Sequence, residues 1–295
     1  MSEAVSPATK RPYGVKMVCS VLGWSRSSFY SCRTPKVRPA SRRGPKPKFS
    51  DAELLEFINK DLSRTPVPGE GHRKVCARLR VLDGVRVSRK RVLRIMRDNK
   101  LLSPFRGRQR RIKTHEGRIV TEAPNVMWAV DGSQILTIND GHVWLFVAVE
   151  HFNSECLGWH VSKPGTRIQA LEPVSMGLTE VFGGVGPDVA RGLELRMDHG
   201  SQYLSNHFQN QIKFWGIAPS FAFVSQPQTN GVVERFFRTL KEQIIYGRIF
   251  TDINQVREAV AGFIETYNNY YWRLERSGFM SPVEYRHHQL TRQAA

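Results

Sequence analysis

The chain has 295 residues, 40% hydrophobic and 24% charged, which is enough for two or three domains with real cores. Its formal net charge of +18 is lopsided: residues 1–125 hold 30 Lys and Arg against 10 Asp and Glu, and residues 126–295 hold 14 against 16. A basic front half on a near-neutral body points to nucleic acid, and no long apolar span or amphipathic anchor argues for a membrane.

Cysteine usage excludes two further classes. Cys19, Cys32, Cys76 and Cys156 form no Cys-x-x-Cys pair, so neither a structural zinc site nor a disulfide framework is indicated. They read as small buried side chains. The opening Met1-Ser-Glu-Ala-Val-Ser-Pro7 lacks the apolar stretch of a signal peptide, and the expected compartment is the cytosol.

In chain order, residues 1–32 form a first helical unit. Tyr13 to Leu22 suits one helix, Gly23-Trp24 a turn, and Ser25 the cap of a short second helix with Arg26 near its start. This is either a DNA-reading helix-turn-helix or a plain helical hairpin. Residues 33–48 hold four prolines, seven basic residues and no acid, and form an extended linker. Such a run is a solvated tether or, beside DNA, a source of non-specific phosphate contacts.

Residues 49–102 form a second helical unit. Leu54, Leu55, Phe57, Ile58 and Leu62 give Asp51–Leu62 an apolar face, and Gly71–Arg80 is a second helix closed by Asp83-Gly84. Ser88 caps a third, Arg89–Arg97, in which Val92, Leu93, Ile95 and Met96 pack. Arg89, Lys90, Arg91, Arg94 and Arg97 project outward, and with Arg73 they are candidate DNA contacts. A second basic connector follows over 103–124.

From residue 125 to 295 the texture changes. Val126–Ile138 and His142–Phe152 are apolar-rich strands joined by the hairpin signal Asn139-Asp140-Gly141, and Leu157–Ser162 is a third strand. Next come a helix over Arg167–Phe182, a strand ending at Asp198, a helix over Ser205–Trp215 and a short strand near Pro219–Val224. A helix bearing Glu234 and one from Asp252 to about Tyr271 complete an α/β pattern. Trp128, Trp144, Trp159 and Trp215 belong to its core.

Three acids stand out in this body. Asp131 interrupts an apolar strand, Asp198 ends another before the turn His199-Gly200, and Glu234 lies in the first turn of a helix opened by Pro227, Thr229, Asn230 and Gly231. Three carboxylates brought together repel one another unless a divalent cation neutralises them, and oxygen-only ligands point to Mg²⁺ or Mn²⁺. Lys241 lies seven residues after Glu234, about 10 Å along the same helical face, with Arg235 and Arg238 beside that line. Val233, Phe236, Phe237 and Leu240 face a core.

These residues resemble the integrase catalytic core of retroviral integrases and bacterial insertion-sequence transposases. The likeness covers about residues 125–287. It rests on Trp128 before Asp131, Asp198-His-Gly-Ser-Gln-Tyr203, Pro227-Gln-Thr-Asn-Gly-Val-Val-Glu234, Lys241, Tyr267-Asn268 and Ser281-Pro-Val-Glu-Tyr285. Gly71-His72-Arg73 and Val87–Val92 resemble the helix-turn-helix domain that precedes this core in many such transposases. Asp131-Gly-Ser133 stands where the insertion-sequence group has Asp-x-Thr, and Asn269–Arg273 replaces its Arg-x-His stretch, so the subgroup stays open.

The resemblance implies a ribonuclease-H-like fold with a mixed five-stranded sheet, in which the first and fourth strands lie side by side. It implies that Asp131, Asp198 and Glu234 are catalytic metal ligands holding two Mg²⁺ or Mn²⁺ ions, roughly 3.5–4 Å apart. It implies cutting at an element's terminal repeats and joining to target DNA, at least a dimer, and in some relatives fusion with the product of an upstream reading frame. His199 and Gln202 would line the site. Two alternatives remain: a metal-dependent nuclease, and a transposase-derived regulator that binds DNA through its helical arms alone.

Overall fold

The computed structural model describes residues 3–33, 48–64, 71–102, 119–222, 230–271 and 273–294. Most of the Pro-rich linker, most of the second connector and the Gln226–Thr229 part of the turn before Glu234 lie outside the described residues. The chain divides into two compact units, Met1–Lys48 and Phe49–Ala295.

In the first unit, α1 (Gly14–Val21) and α2 (Arg26–Arg33) are joined through Gly23, whose φ of 62° is a left-handed conformation that glycine adopts without strain. Ser25 caps α2 by accepting from the Ser28 N–H, as its place in the sequence suggests. Cys19 and Cys156 are buried, but Cys76 is half-buried and Cys32, in a two-helix unit with little interior, is exposed, so the expectation of buried cysteines holds at two of the four.

The second unit opens with three helices. α3 (Asp51–Ser63) begins with a reciprocal capping box between Ser50 and Glu53. α4 (His72–Leu82) follows, then α5 (Arg89–Asp98), capped by Ser88. Leu54, Ile58, Val75, Leu79, Val85, Val92, Ile95 and Met96 form their shared core. Within it Arg78 grips Asp61 through Nε and Nη2 at 2.7–3.1 Å, both side chains fully buried. Arg91 does not project outward as expected. It is half-buried, binding Asp51 at 2.7 and 2.9 Å and the Phe49 carbonyl at 2.6 Å, because α3 offers an acid at the first turn of a neighbouring helix.

The remainder builds on one sheet. β1 (Met127–Thr137), β2 (Gly141–Glu150) and β3 (Cys156–Ser162) are antiparallel, turned at Gly141 with φ of 67°. β4 (Glu194–Met197) and β5 (Ala218–Phe221) run parallel to β1, and the order is β3-β2-β1-β4-β5. The first and fourth strands are therefore neighbours, as the ribonuclease-H-like resemblance implies.

Alternate strand residues serve two cores. Trp128, Val130, Phe146 and Ala148 face α6 (Arg167–Phe182), α7 (Ser201–Leu204) and α8 (Asn206–Phe214). Ala129, Ile135, Val143, Leu145, Val147 and Val149 face α9 (Gly231–Leu240) and α10 (Ile253–Thr266). All four tryptophans named above are buried or packed against these cores, and Trp128 Nε1–H donates to Glu150 at 3.0 Å.

α9 and α10 do not end as ordinary helices. Each widens into a π-helical turn, Lys241–Ile245 and Tyr267–Tyr271. α11 (Pro282–Ala294) docks on the β2–β3 loop through Arg286 and Glu155, a nearly buried pair at 3.0 Å. Its start repeats the α3 device: Ser281 and Glu284 exchange capping bonds, with Pro282 at the first helical position. The Ser-x-x-Glu signature of such a cap is present in Ser281-Pro-Val-Glu284. Among the described residues no helix is long and apolar enough to cross a membrane.

Candidate active site

The parallel register of β1 on β4 pairs Met127 with Glu194, Trp128 with Leu195 and Ala129 with Arg196. Carried two residues further, the same offset sets Asp131 level with Asp198, which follows the last residue of β4. The strands part there, so the two acids stand at the mouth of a split in the sheet. β1 is buried from Met127 to Val130 and half-buried from Asp131 to Ser133, which marks where the split opens.

Both aspartates are held by the main chain. Asp131 Oδ1 accepts from the Gly132 N–H at 2.8 Å, and Asp198 Oδ1 from the Gly200 N–H at 2.9 Å. Gly132 is there for space: a Cβ on it would lie 2.6 Å from the Phe146 ring, whereas one on Gly200 would meet only the movable ends of Gln202 and Asp198.

α9 supplies the third acid. Val233, Phe236, Phe237 and Leu240 are buried against the sheet, the face read from the sequence, while Glu234, Arg235 and Arg238 are exposed. Lys241 is half-buried, its Nζ 5.8 Å from the Phe237 ring centre. Asn230, expected to help start the helix, occupies the N-cap position without capping, and its Nδ2 donates to the Val130 carbonyl at 3.4 Å instead.

The charges of Asp198, Glu234 and Lys241 all act on the Asp131 carboxyl. Burial pushes the Asp131 carboxyl up to about 7, and the charges of Asp198 and Glu234 push the same way. The Gly132 N–H and the Lys241 ammonium oppose them. The buried Tyr203 hydroxyl is held far above its ordinary range by burial and then by the charges of Asp131 and Asp198. His199 is exposed against Phe221, and Gln202 is half-buried. Among the described residues no three His, Cys, Asp or Glu side chains form a group that could hold a metal ion.

The candidate DNA contacts fall into groups. Arg26, Arg73 and Lys90 are exposed on the helical units. Arg89 reaches Glu275 at 2.9 Å, with both side chains more than half exposed. Arg91 and Arg94 are tied to Asp51.

Comparison with known proteins adds three domain matches. Two models described as integrase core domain match residues 121–227 and 215–271, and one described as HTH-like domain matches residues 70–109. The transposase InsD for insertion element IS2A/D/F/H/I/K of Escherichia coli is 30% identical over 286 residues, covering 93% of this chain and 91% of that protein. The chain belongs to the insertion-element transposases with an integrase-type core.

A second relative of this transposase, the IS2A 48.2 kDa protein of Escherichia coli, is 29% identical over 296 residues, which is 97% of this chain and 67% of that one. Among solved structures, the catalytic core domain of BIV integrase is similar at 19% identity and a TM-score of 0.42, covering 58% of this chain and 99% of that chain. The helix-turn-helix match spans α4 and α5, so the basic helix capped by Ser88 belongs to that element.

Proposed function

We propose that this transposase binds the ends of a mobile DNA element and cuts and joins DNA by phosphoryl transfer at Asp131, Asp198 and Glu234. The observation that carries the reading is that Asp198, just past β4, stands level with Asp131 on β1, and that the charges of both Asp198 and Glu234 bear on the Asp131 carboxyl. Burial raises the Asp131 carboxyl most, and Asp198 and Glu234 add to it against the Gly132 N–H and Lys241. Such a cluster is unfavourable by itself and favourable around a divalent cation. Its all-oxygen donor set fits Mg²⁺ or Mn²⁺, in keeping with a metal-dependent family. Two ions bound by these carboxylates would supply Lewis acidity to the attacking and the leaving oxygens.

The chain's own groups do the positioning. The N–H groups of Gly132 and Gly200 fix the two aspartates. Arg235, Arg238 and Lys241 lay a row of cations along one helix for DNA phosphates, while Arg73, Arg89 and Lys90 present charge from the helix-turn-helix and Arg26 from the first unit. Arg91 and Arg94 act mainly through Asp51. In the first reaction a water oxygen bonds to phosphorus and a 3′-oxygen leaves. In the second that 3′-oxygen attacks target DNA and displaces another, so one phosphodiester replaces one.

The same reading sets the organisation and partners. Residues 1–32 and 49–102 bind DNA, 33–48 and 103–124 connect, and 125–295 catalyse. Joining two ends needs at least two copies, and the longer 48.2 kDa relative fits a role for an upstream reading frame. The setting is the bacterial nucleoid. The test is labelled duplex carrying the element's own ends, with Mg²⁺ or EDTA. Metal-dependent nicking and joining by the wild type, with Glu234→Gln binding but not cutting, is expected. Cutting by Glu234→Gln at the wild-type rate would sink the assignment.

A further inference from the structure

Asn230 is an N-cap residue that does not cap. Asparagine is favoured at that position because its short carbonyl reaches the free N–H groups of the first turn. Here the side chain crosses instead to β1, where Nδ2 donates to the Val130 carbonyl at 3.4 Å. That acceptor fixes which arm of the amide is nitrogen, since two carbonyl oxygens would repel. The other arm, Oδ1, is closed off from solvent without a partner, and the residue is only 5% exposed. A buried acceptor with no donor works against folding. Stability alone does not account for an asparagine here, because an apolar side chain would avoid that cost.

What the bond does is geometric. Val130 immediately precedes Asp131, and Glu234 comes four residues after Asn230, just over one helical turn. One side chain therefore joins the strand carrying the first acid to the helix carrying the third, across 100 residues of sequence. The neighbouring carboxylates repel, and nothing in their own charges draws α9 toward β1. A lysine at 230 would pull them in but would compete with a cation, and an aspartate would add a fourth negative group. A neutral donor pins the helix without changing the charge of the site.

We propose that Asn230 is a positioning residue of the acidic cluster, holding the start of α9 on β1 so that Glu234 and Asp131 serve the same cation. This rests on the reading of Asp131, Asp198 and Glu234 as the cation's ligands.

The test uses the full chain without DNA and Mn²⁺ alone as the probe, with free Mn²⁺ counted by its paramagnetic resonance signal. Wild type, Asn230→Ala, Asn230→Gln and Asp131→Asn are compared, together with their melting temperatures in EDTA. Asn230→Ala is expected to weaken Mn²⁺ binding about tenfold, the scale for a residue that orients a ligand from behind. Its Tm should stay within about 2 °C of wild type, because it loses one long hydrogen bond and one unpaired acceptor together. Asn230→Gln keeps the donor and should bind more tightly than the alanine variant. Asn230→Ala binding within about twofold of wild type, while Asp131→Asn loses the ion, overturns the positioning role alone. Unchanged binding by Asp131→Asn overturns the ligand assignment and the proposal with it. A loss of affinity in Asn230→Ala that comes with a Tm drop of about 5 °C or more makes the residue structural and also overturns it.

Discussion

Arg78 and Asp61 meet inside the helix-turn-helix unit with neither side chain exposed to solvent, the guanidinium giving three hydrogen bonds of 2.7–3.1 Å to one carboxylate. The pair joins α3 to α4 across the Leu54–Ile58–Leu79 core. Removing one partner takes this pairing from a buried charge, which costs up to about 3–5 kcal/mol, whereas replacing both by apolar groups of similar size is closer to neutral. Arg78→Ala should therefore unfold this unit and abolish specific end binding. Arg78→Met combined with Asp61→Leu should restore both. Denaturation followed by fluorescence, alongside a binding assay, checks this, and a double variant no more stable than Arg78→Ala would refute it.

Asp131 gives the protein a pH dependence of defined sign. Its folded carboxyl titrates near 7 against an ordinary 3.8, so the folded state holds the proton more tightly than the unfolded one. The metal-free protein should lose stability as pH rises from about 4 to about 7 and level off above. Asp131→Asn removes that slope. In EDTA at pH 8 its Tm should exceed wild type by several degrees or more, because a shift from 3.8 to about 7 is worth up to ~4 kcal/mol, and at pH 4 the two should lie closest. In the same logic Mg²⁺ must displace a proton below about pH 7, so its apparent affinity should fall steeply there. Parallel Tm–pH curves for the two proteins would rule this out.

The basic face of α5 should divide into two kinds of residue. Lys90 is exposed, whereas Arg91 is half-buried in its bonds to Asp51 and the Phe49 carbonyl. Lys90→Ala is expected to lower the salt slope of DNA binding by about one phosphate contact and leave the Tm unchanged. Arg91→Ala should cost about 1 kcal/mol of stability and leave the slope near wild type. Titrating binding against salt for both variants separates them, and equal slopes would show that Arg91 contacts DNA directly.

Much of this protein is legible residue by residue because its local signals agree. α6 runs from Arg167 to Phe182 as predicted, since Thr166 caps it and Gly183, at φ 81°, stops it. The β1–β2 hairpin turns at Gly141, and the buried face of α9 is the one its apolar spacing marks. Periodicity, caps and turns act within a few residues, so the sequence alone determines them. The spacing of Asp131, Asp198 and Glu234 was likewise visible.

Other features were settled by partners far along the chain. Asn230 carries every mark of a cap, yet its amide goes to Val130, and Arg91 leaves the solvent for Asp51, 40 residues away. Arg286 selects Glu155, and the first acid gains its raised pKa chiefly from burial in the assembled fold. A side chain with two possible hydrogen-bond partners goes to the one that the assembled fold brings near. Sequence determined which groups were available; only packing decided which of them meet, because burial and charge depend on neighbours that the linear chain keeps apart.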